Sequence, residues 1–395
     1  MASPATVDVH GTVTSGFEQV RDVFAANFAT GDEIGASFAA TVDGRFVVDI
    51  WAGYRDAAQT LPWEENTIVN VFSTTKAMVA SAAAMLADRG LLDYTKPVAY
   101  YWPQFAQNGK GEITVAQALS HQAGVPGISR PLPNWYHWDA IVDALAAETP
   151  WWEPGTANGY HAITFGHLVG EIIRRVSGKT FGAFLRSEIA GPLDADFHCG
   201  FGPEQDHRVG EMVPAPALEG VPPDALLLKV LANPPFEAKQ ANDREWRAAE
   251  VPAANGHGNA RSCARVMSAL ACGGEVDGVR ILSQAAIDRA ITEQCYRNDL
   301  VLVQPMRWGV GFMLSSEQMP MGPNPRTFGH GGAGGSLAFA DLDARASYAY
   351  VMNKMGVTTT GDARGANCAL AFYRCLGRAE PAPSQRFSSP TPSTD

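Results

Sequence analysis

Three short stretches of this chain carry residue types that could together do acyl chemistry. In Val71-Phe72-Ser73-Thr74-Thr75-Lys76-Ala77-Met78 a serine stands three residues before a lysine. Residues three apart share a helix face, so a helical start here makes the Ser73 hydroxyl and the Lys76 amine neighbours. Burial disfavours an ammonium ion and pushes a lysine towards a neutral amine that can take the serine's proton. A serine is then a nucleophile without a histidine beside it. The second stretch runs from Trp152 to His161 and holds Tyr160 on a loop rich in Gly, Pro and Asn, where a phenol can face a cleft. The third is Phe328-Gly329-His330-Gly331-Gly332-Ala333-Gly334-Gly335-Ser336. So many glycines mean backbone that passes close to something or takes dihedrals other residues avoid.

None of these is specific alone. A Ser-x-x-Lys occurs by chance about once in a chain this long, and a single tyrosine is usually a packed ring with one satisfied hydroxyl. The elements around them matter more. Ala77 to Ala87 has no charge, Gly or Pro, and Asp88-Arg89-Gly90 supplies a stop, which predicts a buried helix opening at the serine. Ahead of it, Phe17 to Phe28 has helical spacing, and residues 36–42 and 45–51 read as strands joined by Asp43-Gly44, a strong hairpin signal. Between 73 and about 290 helices and irregular connections dominate. Thr114 can cap a short helix, Trp138 to Ala147 suggests another, Thr164 caps a striped helix to Val176, and Thr180, Ser262 and Ser283 begin others. Residues 213–259 have weak periodicity and read as a long excursion near a functional surface. Strand signals return at 308–314, 336–341 and 346–352, before a helix from about 362 to 376.

The simplest architecture is an α/β (α+β) fold: an antiparallel sheet built from both chain ends, flanked by helices, with a mostly helical insertion. The expected domains are 1–72 with 291–380 for the sheet and 73–290 for the helical part, with 381–395 a disordered tail. Net charge −11, from 41 acidic and 30 basic side chains, argues against nucleic-acid or anionic-membrane partners. The six cysteines form no C-x-x-C pair and, like the histidines, show no metal-ligand spacing, so neither metal nor other cofactor is expected. With no signal-peptide pattern and no apolar run long enough to cross a bilayer, a cytoplasmic protein is expected. Two rival motifs fail on context. Gly329 to Gly334 fits G-x-G-x-x-G, but a strand rather than a helix follows it, and no G-x-S-x-G elbow occurs.

Taken in order, the three stretches resemble the serine β-lactamase and penicillin-binding superfamily, most closely its esterase branch, the family VIII carboxylesterases. Leu119 to Pro126, Glu153-Pro154-Gly155, Tyr160 to Gly170, Arg307 to Phe312 and Val351 to Lys354 match as well, so the likeness runs from about residue 15 to 378. The resemblance implies Ser73 as acylated nucleophile, Lys76 and Tyr160 sharing the proton transfers, and an oxyanion hole from the Ser73 and Ala333 amides. Which of Lys76 and Tyr160 is the base stays open, because coupled groups need not have separate roles. Class C β-lactamases carry Tyr-x-Asn at the second motif and Lys-Thr-Gly at the third. Here Ala162 and His330 take the asparagine and lysine positions, which favours a neutral ester over an anionic lactam. The implied function is a carboxylesterase for small esters. Acyl transfer, amide or D-peptide hydrolysis, weak β-lactam hydrolysis and non-turnover penicillin binding share the same motifs. Trp152, with Trp151, Trp308 and Trp135, is expected to wall an apolar acyl pocket, and His161, His330, Gly331 and Gly332 to touch substrate. Sequence does not speak to oligomeric state.

Overall fold

The computed structural model describes residues 7–216, 222 and 224–377; the tail expected at 381–395 lies outside them. The first three strands are β1 (Val9–Val13), β2 (Gly35–Val42) and β3 (Arg45–Gly53). The other strands of the main sheet come after residue 290: β4 (Cys295–Asn298), β5 (Pro305–Trp308), β6 (Met313–Leu314), β7 (Thr327–Gly331), β8 (Leu337–Asp341) and β9 (Ala346–Met352). They form one nine-stranded antiparallel sheet in the order β1-β3-β2-β9-β8-β7-β6-β5-β4. Six helices matter for the site: α1 (Glu18–Ala29), α2 (Thr75–Asp88), α3 (Thr164–Ser177), α4 (Leu226–Ala232), α5 (Ala260–Ala271) and α6 (Ala363–Cys375).

The two chain ends meet where β2 pairs with β9, from Val42 opposite Ala346 to Ala36 opposite Met352. The hairpin between β2 and β3 turns on Asp43 (φ 47°) and Gly44 (φ 84°), the left-handed pair that a two-residue turn needs. Alternation along β9 sends successive side chains to opposite layers. The Ser347 hydroxyl donates to Ala264 O of α5 at 2.8 Å, whereas the Tyr350 hydroxyl donates to Glu33 on the face covered by α1 and α6. Both faces are covered, so all seven residues of β9 are buried. α2 is buried from Thr75 to Leu86 and packs on α3, as its uncharged sequence requires.

Several local expectations are corrected. Residues 308–314 are not one strand, because Gly309 to Phe312 form the turn between β5 and β6, closed by Gly309 N–H to Phe312 O at 2.9 Å. The glycine-rich stretch is partly strand, with His330 inside β7. Thr164 is the first residue of α3 rather than its cap, and its hydroxyl donates to Val125 O at 2.9 Å. Ser262 lies inside α5, where Asn259 is the cap. The excursion at 213–259 contains α4, which its weak periodicity did not reveal. Among the described residues no helix is long and apolar enough to cross a membrane.

Candidate active site

Ser73 sits in a 3₁₀ turn, Phe72–Thr74, that runs directly into α2. Phe72 has φ 45°, left-handed backbone that costs a bulky residue about 1–3 kcal/mol unless its surroundings hold it. They do. Thr75 Oγ1 donates to Phe72 O at 2.5 Å, Val71 N–H to Gly256 O at 2.8 Å, and Ser336 Oγ to Val71 O at 2.7 Å. Ser336 Oγ also lies 3.0 Å from Thr74 Oγ1, so the end of the glycine-rich stretch is fastened to the serine turn.

Lys76 Nζ lies 2.9 Å from Ser73 Oγ, 2.8 Å from Ala162 O and 2.9 Å from Ala253 O. Both carbonyls come from loops that lead into helices, Ala162 ahead of α3 and Ala253 ahead of α5. Lys76 is fully buried, and loss of hydration holds its amine well below the ordinary lysine range. The Tyr160 ring, 4.7 Å from Nζ, favours the cation, but such contacts supply up to about 2 kcal/mol, whereas full burial moves a lysine by up to about 3–5 pKa units. Desolvation wins. A neutral amine has two N–H donors for the two carbonyls and one lone pair for the Ser73 proton.

Tyr160 is buried with it, and burial pushes its phenol above the usual tyrosine range. The nearby Ser73 hydroxyl pulls in the opposite direction, although no hydrogen bond of good geometry reaches the Tyr160 oxygen. The ring is stacked on Trp308 with centroids 5.9 Å apart and planes at 8°. Its backbone is held by Asp299, whose carboxylate accepts from Tyr160 N–H at 2.9 Å and from Asn158 Nδ2 at 2.8 Å. Asp299 also accepts from Val301 and Leu302 N–H at 2.9 and 3.0 Å, so one buried carboxylate ties the tyrosine loop to the turn after β4. Sequence reading missed Asp299; its only signal is an acid beside the apolar run Leu300 to Val303.

Ala333 follows β7 on the glycine-rich turn. Neighbouring amides are used: Thr74 N–H donates to Val71 O at 3.2 Å, Gly332 N–H to Ser336 O at 2.7 Å, and Gly334 N–H to Thr358 O at 2.9 Å. Among the described residues, neither Ser73 nor Ala333 N–H takes part in the turn and loop bonds that hold this region. Gly332 passes so close to the serine turn that a Cβ on it would sit 2.4 Å from Val71 O.

Ser73, Tyr160, Ala162 and Ala333 line one cavity of about 80 Å³. Its walls are Ile163, Leu227, Leu231, Phe236 and Leu302, with Thr359 its other polar side chain. The expected tryptophan walls are therefore replaced by aliphatic residues of α4 and its surroundings together with Phe72 and Phe236. Trp308 is buried behind Tyr160, and Trp152 bonds Ala157 O at 3.2 Å and packs over Gly159. Trp151 bonds Glu148 and Trp135 bonds Pro234 O. None of His161, His330, Gly331 and Gly332 lines the cavity either. His161 is buried with Nδ1 2.7 Å from Gly159 O, while Nε2 accepts from Val125 N–H at 3.2 Å, a pattern that suits a neutral ring. Gly331 lies against the Thr360 backbone. Larger cavities of about 380 and 460 Å³ open elsewhere, and neither is lined by Ser73, Lys76, Tyr160 or Ala333.

The family model for Beta-lactamase matches residues 20–371. The chain belongs to the Beta-lactamase family. It is 35% identical over 362 residues to the "Esterase/beta-lactamase LipL" of Mycobacterium tuberculosis, covering 88% of this chain and 83% of that protein. A crystal structure of a family VIII carboxylesterase superposes with TM-score 0.89 at 46% identity, over 93% of this chain and all of the other. A penicillin-binding protein homologue from Caulobacter crescentus gives TM-score 0.86 at 40% identity, over 93% of this chain and all of the other. This Beta-lactamase family chain is a hydrolase of that fold. The two positions that depart from the class C pattern have distinct fates. Ala162 contributes its carbonyl to Lys76, and His330 is fully buried, which holds its ring well below the ordinary histidine range. Neutral at physiological pH, His330 offers no fixed cation to a substrate carboxylate.

Proposed function

We propose that this protein hydrolyses small carboxylic esters through an acyl-Ser73 intermediate. The observation that carries this reading is the Lys76 amine, buried and 2.9 Å from Ser73 Oγ, with two backbone carbonyls as its other partners. Lys76 takes the Ser73 proton as Oγ attacks the ester carbonyl carbon. The oxyanion that forms is met by the Ser73 and Ala333 N–H groups. Tyr160, kept protonated by burial, relays a proton to the departing alcohol and is reprotonated from Lys76. Water then attacks the acyl carbon, its proton passes to the same pair, and the carboxylic acid leaves as Ser73 is restored.

The apolar cavity walls and the neutral His330 support an uncharged, apolar acyl group. Weak β-lactam hydrolysis is a second reading, favoured by the likeness to the protein called esterase/β-lactamase. The unpaired state of all six cysteines fits a reducing, cytoplasmic compartment. The test is a panel of p-nitrophenyl acetate, butyrate and octanoate with one chromogenic cephalosporin, on the parent and on Ser73→Ala. Short esters should turn over best, the cephalosporin poorly, and Ser73→Ala should lose about a thousandfold or more in kcat. Ester turnover by Ser73→Ala at the parent rate would sink the proposal.

A further inference from the structure

Behind the glycine-rich turn lies a buried charged cluster that the mechanism above does not use. Arg364, near the start of α6, spends every N–H of its guanidinium on it. Nη1 donates to Glu33 Oε2, Lys354 O and Asp32 O at 2.9, 2.9 and 3.0 Å. Nε and Nη2 donate to Asp362 Oδ2 at 2.9 and 2.6 Å. The remaining Nη2 proton goes to Gly334 O at 2.6 Å, one residue beyond Ala333. Gly356 N–H reaches the same carbonyl at 2.8 Å.

The turn is costly to order, even with its bonds to Ser336 and Thr358. Gly334 and Gly335 have φ 84° and 127°, and glycine loses more conformational freedom on ordering than any other residue. The backbone is cut to fit the charged groups: a Cβ on Gly335 would lie 2.5 Å from Asp362 Oδ2 and 2.8 Å from Arg364 Nη2. An arginine buried between two acids is an expensive way to make a surface, since several kcal/mol of hydration per ion must be offset by well-made bonds. Burial pushes the Glu33 carboxyl up and the Arg364 guanidinium beside it pulls it back down, so the acid leans on this pair for its charge.

We propose that Arg364 is a positioning residue for the oxyanion-binding turn. Clamped by Asp362 and Glu33, it fixes Gly334 O and so the direction in which Ala333 N–H points into the cavity. This rests on the assignment of Ala333 N–H to the oxyanion hole. A donor aimed at a developing charge must be oriented before the reaction, and removing one such donor lowers kcat by about a hundred- to a thousandfold. Loosening one should cost less.

The test is steady-state ester kinetics with inhibition by phenylboronic acid, which forms a tetrahedral serine adduct, on the parent, Arg364→Gln and Arg364→Lys. Arg364→Gln should lower kcat by roughly tenfold or more with KM little changed, and weaken the boronate in parallel. Arg364→Lys should restore part of both. Unchanged kcat and boronate affinity in Arg364→Gln, or a loss confined to KM, overturns the proposal. If circular dichroism shows Arg364→Gln unfolded, Asp362→Asn, which loosens the same clamp, is read by the same criteria. A parent that forms no acyl-Ser73 adduct refutes the functional reading. A parent that forms one beside a fully active Arg364→Gln refutes only the positioning role.

Discussion

A primary amine buried without a carboxylate partner is a base by environment. Because burial lowers the Lys76 pKa from 10.5, the neutral amine is present well below pH 10.5 and its population grows as pH rises through the lowered value. Tyr160, raised above its ordinary value, stays protonated over the same range. The profile of kcat/KM against pH should therefore climb and level off well below pH 10.5; an acid limb near 10.5 would mean that Lys76 stays charged. The serine–lysine pair was legible in sequence because its spacing is local. Asp299 was not, since its bond to Tyr160 spans 139 residues. The role expected of His330 changed for a similar reason: its burial inside β7 comes from sheet pairing, which no local pattern announces.

Among elements, α4 supplies part of the wall of the cavity at Ser73. Leu227 and Leu231, four apart on one face, both line the cavity. Leu231→Ala should enlarge the acyl pocket and shift the ratio of kcat/KM for octanoate over acetate upward by roughly tenfold, as one lost apolar contact is worth about 1–3 kcal/mol. An unchanged ratio would remove α4 from substrate choice. Long, uniformly apolar or striped elements such as α2 and α3 could be read ahead of the structure, because burial dictates their composition. Seven-residue α4 carries only Leu226-Leu227-Leu228 and Val230-Leu231 as a signal, inside a stretch otherwise rich in Pro and Ala. The tryptophans misled for the opposite reason: large rings near the motifs are needed to pack the loops from behind, as Trp308 does for Tyr160.

At the scale of the molecule, one sheet is completed by strands from both chain ends. The D-G hairpin and the late strand signals made that architecture readable, whereas β1 and β4 were too brief or too polar to stand out, and the end of β5 was read with β6 as one strand over 308–314. β9 pairs with β2 on one side and β8 on the other, so its loss would split the sheet and bare two edges. A chain ending at Arg345 should accumulate in the insoluble fraction and show no ester hydrolysis above the Ser73→Ala background. Soluble, active protein of that length would contradict the account of how the ends cooperate.

The central claim is that Ser73 carries the acyl group. Parent enzyme mixed with p-nitrophenyl butyrate, quenched in acid within the first turnovers and digested, should yield the peptide bearing Ser73 with one butyryl group added. The same peptide should be unmodified in Lys76→Met. Butyrylation of another residue, or hydrolysis with no adduct in parent and variant alike, would contradict the account.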